Sequence, residues 1–304
     1  MTGQIRDMFE QAGCSGQLCV QSLDGSRELA IDADGPAVAA SVIKVCVAVA
    51  AETQFVTGQL DPRERVLLPA ASRSPGPVGF SLFCDDVEAS LRDLVVAMLT
   101  ISDNDATDAL IRRVGIETVN AVCAGLGLAG TVLVTDEGTI ANSIAHEAGF
   151  ASWDAMWEWA DQPHPAADER ALVAKIPAMT ALTPPTTTRT TARDMATLLR
   201  LIWTGTAGPP AACQRVRKLM SQQLTKHRLA AAFPPPITVA AKSGSLVGIV
   251  RNEVGVIEYP DGRVWCAAVL ARSHQPWANT AEINAVIGAA AAAAIEQLEA
   301  TGTG

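Results

Sequence analysis

Residues 237–273, ITVAAKSGSLVGIVRNEVGVIEYPDGRVWCAAVLARS, decide the fold. The segments ITVAAKSGS, IVRNEVGVIEY and RVWCAAVLAR are rich in Val, Ile and Ala, and short breaks part them, the second break being Pro260-Asp261-Gly262. Such runs read as three strands joined by tight connections. Near the other end, Gly16 to Ala33 (GQLCVQSLDGSRELAIDA) places two further apolar runs either side of Asp24-Gly25, a hairpin signal. Between these regions the texture is helical. Val42 to Thr53 is Ala/Val-rich around Lys44, and helical patterning returns at Val87–Leu99, Ala106–Val114, Glu117–Leu126, Ala192–Trp203 and Ala211–Leu224. A last helix is expected from about Thr280 to Ala300. The order is a short helix, two strands, a long helical middle, three strands and a final helix. An α+β fold satisfies it: an antiparallel sheet made from both chain ends, with the terminal helices on one face and a helical lobe inserted. One domain over 1–304 is expected, with an α/β lobe from about 1–40 and 205–304 and a helical lobe over about 41–204.

Composition narrows the partners. The 304 residues are 49% hydrophobic and 18% charged, enough for a large core and incompatible with a disordered or disulfide-scaffold chain. With 23 Lys+Arg against 32 Asp+Glu the net charge is −9, which offers no electrostatic footprint for nucleic acid or an anionic membrane surface. A small-molecule partner is expected instead. The first residues, MTGQIRDMFEQAGCSG, lack a basic segment followed by an apolar run. The apolar tail, Ala281 to Leu298, carries Glu282 and Asn284 and is dominated by six alanines, Ala289 to Ala294, which favour a helix over a membrane anchor. A cytoplasmic location follows as the expectation. The seven cysteines include no C-x-x-C and the four histidines have no ligand-spaced partner, so neither a metal nor another cofactor is expected.

Three short elements carry the chemistry. In Ser41-Val42-Ile43-Lys44 a serine at a helix start has a lysine one turn further along the same face, a nucleophile beside a candidate base. Taken alone, Ser41 also reads as a helix cap and Lys44 as a snorkelling side chain. Ser102-Asp103-Asn104 lies in a polar break between two apolar helical runs, where a helix cap is the plainer role. Lys242-Ser243-Gly244 ends a strand, where an edge lysine beside a turn would serve.

In this order and spacing the three resemble the S-x-x-K, S-D-N and K-[ST]-G set of the class A β-lactamases and penicillin-binding proteins. The 61 residues from Ser41 to Ser102 suit the class A pattern, and the resemblance covers nearly the whole chain. It implies an acyl-enzyme mechanism on a small amide, ester or β-lactam, with Ser41 the acylated nucleophile and Lys44 its base or proton relay; the alternatives are an intracellular transacylase, esterase or amide hydrolase in metabolite biosynthesis, and a non-catalytic protein that binds a β-lactam-like ligand. Ser102 would pass a proton to the leaving nitrogen, Asn104 would bind the substrate's side-chain amide, and Lys242 would lend positive charge. Ser243, with Gly244 beside it, and Arg251, nine positions beyond Lys242, would anchor an anionic group. The backbone N–H groups of Ser41 and Ser245 would form the oxyanion hole.

The resemblance also implies what is missing. Class A enzymes carry E-x-x-L-N, whose glutamate activates the deacylating water, and this chain has no such string. A long-lived acyl-enzyme is therefore expected unless Glu137, Glu147, Glu158 or Glu169 takes that role. Ser102 to Lys242 spans 140 residues, longer than the family interval, with the excess around Ile140 to Leu182. That enlarged loop holds Trp153, Trp157 and Trp159, half of the six tryptophans, and is expected either to cover the site with an aromatic wall or to be fastened to the body by them.

Overall fold

The structure, a computed structural model, describes residues 2–301. The chain opens with α1 (Thr2–Gln11), the hairpin strands β1 (Cys14–Ser22) and β2 (Glu28–Ile31), and a two-residue strand β3 (Ala37–Val38). A 3-10 turn, Ala40–Ile43, leads into α2 (Lys44–Val56). A short ribbon of β4 (Arg65–Leu68) and β5 (Val87–Ser90) precedes α3 (Leu91–Thr100), α4 (Asn104–Val114) and α5 (Ile116–Gly125). Next come α6 (Glu137–Ala148), α7 (Trp153–Ala160), α8 (Ala166–Lys175), β6 (Arg189–Thr190), α9 (Ala192–Thr204), α10 (Pro210–Ser221) and α11 (Leu229–Ala232). Strands β7 (Thr238–Leu246), β8 (Val250–Glu258) and β9 (Val264–Ser273) and helix α12 (Thr280–Thr301) complete it.

The three strands read from 237–273 and the hairpin near the N-terminus join in one antiparallel sheet of order β2-β1-β9-β8-β7. The sheet is therefore made from both chain ends. Its alternating side chains feed two cores. Leu18, Val20, Ala267, Val269 and Ile257 face α1, α11 and α12, while Cys19, Ala268, Leu270, Val254 and Val256 face the helices of the middle of the chain. Helical cover on both faces explains why β9 is buried almost end to end. The alanine run contributes a buried stripe, Ala290, Ala291 and Ala294, whose small side chains let α12 lie close to the sheet.

Helix α2 is apolar nearly all round because α3, α4, α5 and α10 enclose it. Several boundaries differ from the sequence expectation: β7 runs on to Leu246, so Lys242-Ser243-Gly244 lies inside the strand instead of ending it, and α10 stops at Ser221. Val87 to Ser90 pairs with β4, and the helix begins at Leu91, after an extended Ser90 whose hydroxyl bonds the Asp93 carboxylate. The enlarged loop folds as most of α6, then α7, α8 and two 3-10 turns, and Ile144, Ile176, Met179 and Leu182 pack it against Val38, Ile249 and Val250.

Candidate active site

Ser41 sits in the 3-10 turn that feeds α2, after Ala40, whose φ is +46°. Its hydroxyl has no hydrogen-bond partner among the described residues and it is partly exposed. Lys44 is the first residue of α2 and is wholly buried. Its ammonium lies 2.9 Å from Ser102 O, 2.7 Å from Asn104 Oδ1, 3.3 Å from Glu137 Oε1 and 3.4 Å from Ser102 Oγ. Four acceptor atoms from three residues, one of them a carboxylate oxygen, surround this amine.

The Ser102-Asp103-Asn104 break is held in an unusual shape. Ser102 has φ +67°, a left-handed conformation that a non-glycine residue keeps only where its surroundings fix it. Those surroundings are Lys44 on its carbonyl and Lys242 on its hydroxyl at 3.0 Å. Asp103 is the cap of α4, accepting from Ala106 N–H at 3.0 Å and also from Phe80 N–H at 2.5 Å, and burial pushes its carboxyl pKa up. Gly79, at φ +67°, makes that contact possible, since a Cβ there would stand 2.1 Å from Asp103 Oδ2. Asn104 accepts from Lys44 and donates to Pro75 O at 2.8 Å.

On the opposite wall, Lys242 Nζ bonds Ser102 Oγ and, at 2.8 Å, Ser243 O. Burial, and then the charge of Lys44, hold its ammonium well below the ordinary lysine range. Gly244 packs on the nucleophile's turn: a Cβ would come within 3.1 Å of both Ser41 N and Val42 N. This closeness sets the Ser41 and Ser245 backbone amides on facing elements of one site. Ser243 N–H donates to Gln223 Oε1 at 2.5 Å, and Ser245 pairs in register with Arg251. Arg251 reaches Thr280 Oγ1 at 3.1 Å, while its Nε is buried without a partner.

Two residues gain a place that the sequence did not single out for them. Glu137 alone of the four candidate glutamates reaches Lys44. Glu147 bonds Thr180 and Ser143, and Glu169 pairs with His164 at 3.0 Å. Glu137 is fixed through its own N–H, which donates at 2.8 Å to Asp108 on α4, a carboxyl that burial pushes up to about 6. A carboxylate therefore stands at the site although E-x-x-L-N is absent. Its signal was an acid on the apolar face of α4, aimed at the start of α6. Arg228 is the second. It is buried and donates to Gly244 O at 2.9 Å, Asn252 O at 2.6 Å, Ser245 Oγ at 2.6 Å and Asn284 Oδ1 at 3.0 Å, tying β7 to β8 and α12. Burial lowers its pKa to about 10, which leaves it charged at neutral pH.

A cavity of about 20 Å³ beside Ser41 is walled by Glu137, Ile140, Leu133, Thr188 and Ser245. Room of this size holds about one water molecule. The enlarged loop contributes Ile140 to that wall, and none of its tryptophans lines this small cavity. Trp153 and Trp157 meet edge to face at 6.1 Å, and Trp159 stacks on His164 at 3.9 Å and meets Phe150 at 5.5 Å. Trp153 also packs on the cluster that joins the loop to Val38, Ile249 and Val250, while Trp157 is exposed. Among the described residues no helix is long and apolar enough to cross a membrane.

A sequence model of the beta-lactamase enzyme family matches residues 1–298. The beta-lactamase regulatory protein BlaB of Streptomyces cacaoi is 29% identical over 286 residues, 90% of this chain and 89% of that protein. Among solved structures, a beta-lactamase from Sphaerobacter thermophilus is 23% identical with a TM-score of 0.76, covering 98% of this chain and 97% of that one. PBP-A is 22% identical with a TM-score of 0.76, covering 98% and 95%. Its L158E mutant, solved as an acyl-enzyme complex with penicillin-G, has a TM-score of 0.75 at 22% identity, covering 98% and 96%. At these identities the structures share the fold.

Proposed function

The chain belongs to the beta-lactamase enzyme family, and from that premise we propose that it is a serine hydrolase in which Ser41 is acylated by a small amide, ester or β-lactam. The observation that carries this reading is that Ser102, Asn104 and Glu137 meet on Lys44, and Lys242 on Ser102, one helical turn from a Ser41 hydroxyl without a hydrogen-bond partner among the described residues. In acylation the Lys44 ammonium gives a proton to Glu137, and the neutral amine takes the proton of Ser41 as its oxygen attacks the carbonyl carbon. The carbonyl π pair moves to the oxygen, which meets the Ser41 and Ser245 N–H groups. The leaving nitrogen departs with a proton from Ser102, Lys44 returns a proton to Ser102, and Glu137 gives its proton back to Lys44 and is a carboxylate again for the next step. Lys242 is suited to this path because its lowered pKa lets it exchange a proton with the Ser102 hydroxyl.

Deacylation needs a base beside a water. Glu137 and Ser41 share the wall of the 20 Å³ cavity, and Glu137 is the acid we assign to that step. Arg228 holds the Ser245 side of the site, and Ser243 with Arg251 offers donors to an anionic group on the substrate. The test is rapid mixing with a fluorescent penicillin and a chromogenic thioester. Covalent labelling that Ser41→Ala abolishes, followed by turnover, supports the reading. Turnover that persists in Ser41→Ala overturns it.

A second reading rests on one observation, that the Streptomyces cacaoi relative is named a regulatory protein. There the acylated state would itself be the output, a sensor of β-lactam-like compounds. The lifetime of the adduct separates the two, since a sensor keeps its acyl group and a hydrolase releases it.

A further inference from the structure

Behind the Ser41 turn lies a cavity of about 450 Å³, within the range of small-molecule sites. Its floor is the sheet face that also carries Gly244, laid out in two cross-strand rows. In one row Asn252, Leu270 and Gln17 stand side by side; in the next, Val250, Arg272 and Ser15 do so. Its walls are apolar and rigid, from Pro36 and Val38 on one side and Leu182 and Pro184 on the other. The cavity is separate from the Ser41 cleft. Asn252 stands between them, donating through Nδ2 to Val38 O at 2.9 Å and Ala39 O at 3.1 Å.

Two polar groups on the floor are incompletely served. Arg272 donates to Leu182 O and Pro177 O, both at 3.1 Å, which uses two of its five N–H donors. No carboxylate pairs with it among the described residues, and burial lowers its pKa, the mark of a guanidinium short of an anion. The one acid at the rim, Asp32, is already bonded to Arg6, at 3.0 Å through Nη2. Gln17 Oε1 is buried beside the cavity without a donor, so a ligand in the cavity meets it only when the side chain turns. Gln17 and Arg272 are diagonal neighbours on adjacent strands, which places their Cα atoms about 7–8 Å apart, a gap the two side chains can close on one ligand.

We propose that this cavity is a second ligand site, built for a small apolar carboxylate that also carries an N–H donor, the chemistry of an N-acylated amino acid. The carboxylate would take the free N–H groups of Arg272, the N–H would meet Gln17 Oε1, and an aliphatic body would lie among the prolines and leucines. The site does not depend on reaction at Ser41.

N-acetyl-L-leucine is the probe, with the neutral N-acetyl-L-leucinamide beside it, titrated by calorimetry against the full chain. Saturable binding of the acid at least about tenfold tighter than the amide is expected, the weight of one charge-assisted hydrogen bond. Arg272→Gln should remove that preference, while Arg272→Lys should keep part of it and guards against a folding defect. Gln17→Leu, which deletes the unserved acceptor, should weaken the acid and the amide alike. Ser41→Ala and penicillin-acylated protein should bind the acid as the unmodified chain does. Absence of saturable binding, equal affinity for acid and amide, an Arg272→Gln variant that retains the preference, or loss of binding on acylation would each overturn the proposal.

Discussion

Replacing Glu137 by glutamine should separate the two halves of the reaction. The side chain keeps its shape and one acceptor oxygen but loses its charge and its basicity. At 3.3 Å from Lys44 Nζ, the carboxylate attracts the ammonium by about 5 kcal/mol if the effective dielectric constant is about 20. Glutamine removes that attraction, and burial away from an anion favours the neutral form of an amine in general. The neutral amine can then still take the Ser41 proton. Acylation in Glu137→Gln should thus stay within about tenfold of the parent, while deacylation, deprived of its base, should slow by about 10²–10⁴. Stopped-flow labelling with a fluorescent penicillin gives the first rate, and intact-mass spectrometry of the quenched adduct over time gives the second. Deacylation within about threefold of the parent would refute the assignment of Glu137, because positioned proton transfer contributes far more than that.

The remaining predictions concern the groups around it. Lys44→Ala should slow acylation by about 10²–10⁴, read as the pseudo-first-order labelling rate. Gly244→Ala sets a methyl group 3.1 Å from the Ser41 and Val42 amide nitrogens, which are backbone and cannot swing aside; the shifted oxyanion donors should lower acylation by about 10²–10³. Glu52 is buried beside Arg215 at 3.6 Å, and burial pushes its carboxyl up to about 7 from 4.5. Because the folded pKa is the raised one, the stability tied to its proton is full below about 4.5 and lost as pH rises through about 7, at most about 3 kcal/mol. Denaturant melts should find Glu52→Gln no more stable than the parent at pH 5 and more stable at pH 8.

Local signals were enough where one element answers to one pattern. The Val/Ile/Ala runs of β7, β8 and β9 and the Asp24-Gly25 turn determine the sheet, and an apolar helix interrupted by Lys44 announces a buried cation in need of partners. The S-D-N string was legible as a polar break, and the left-handed Ser102 explains why it is not a simple cap. Glu137 could not be picked from four glutamates, because its place depends on Asp108 in a different helix accepting its N–H. Arg228 was hidden for the same reason: a basic residue in a loop becomes a tie between β7, β8 and α12 only after three elements have met. The tryptophans left cover and fastening open because aromatic content says nothing about direction, and Trp153 packs where the loop meets Val38, Ile249 and Val250. The strands β4 and β5 are four residues each, too short for alternation to outweigh the helical pattern beside them.

The sequence itself supplies the sharpest test of Ser41 as nucleophile. Trypsin cleavage after Arg27 and Lys44 releases residues 28–44, ELAIDADGPAVAASVIK, in which Ser41 is the only hydroxyl residue and no cysteine occurs. After brief reaction with penicillin G and an acid quench, mass spectrometry of the digest should find this peptide heavier by the mass of one intact penicillin, with fragment ions placing the addition on Ser41. An unmodified 28–44 peptide from protein that has gained the adduct mass elsewhere would contradict the account.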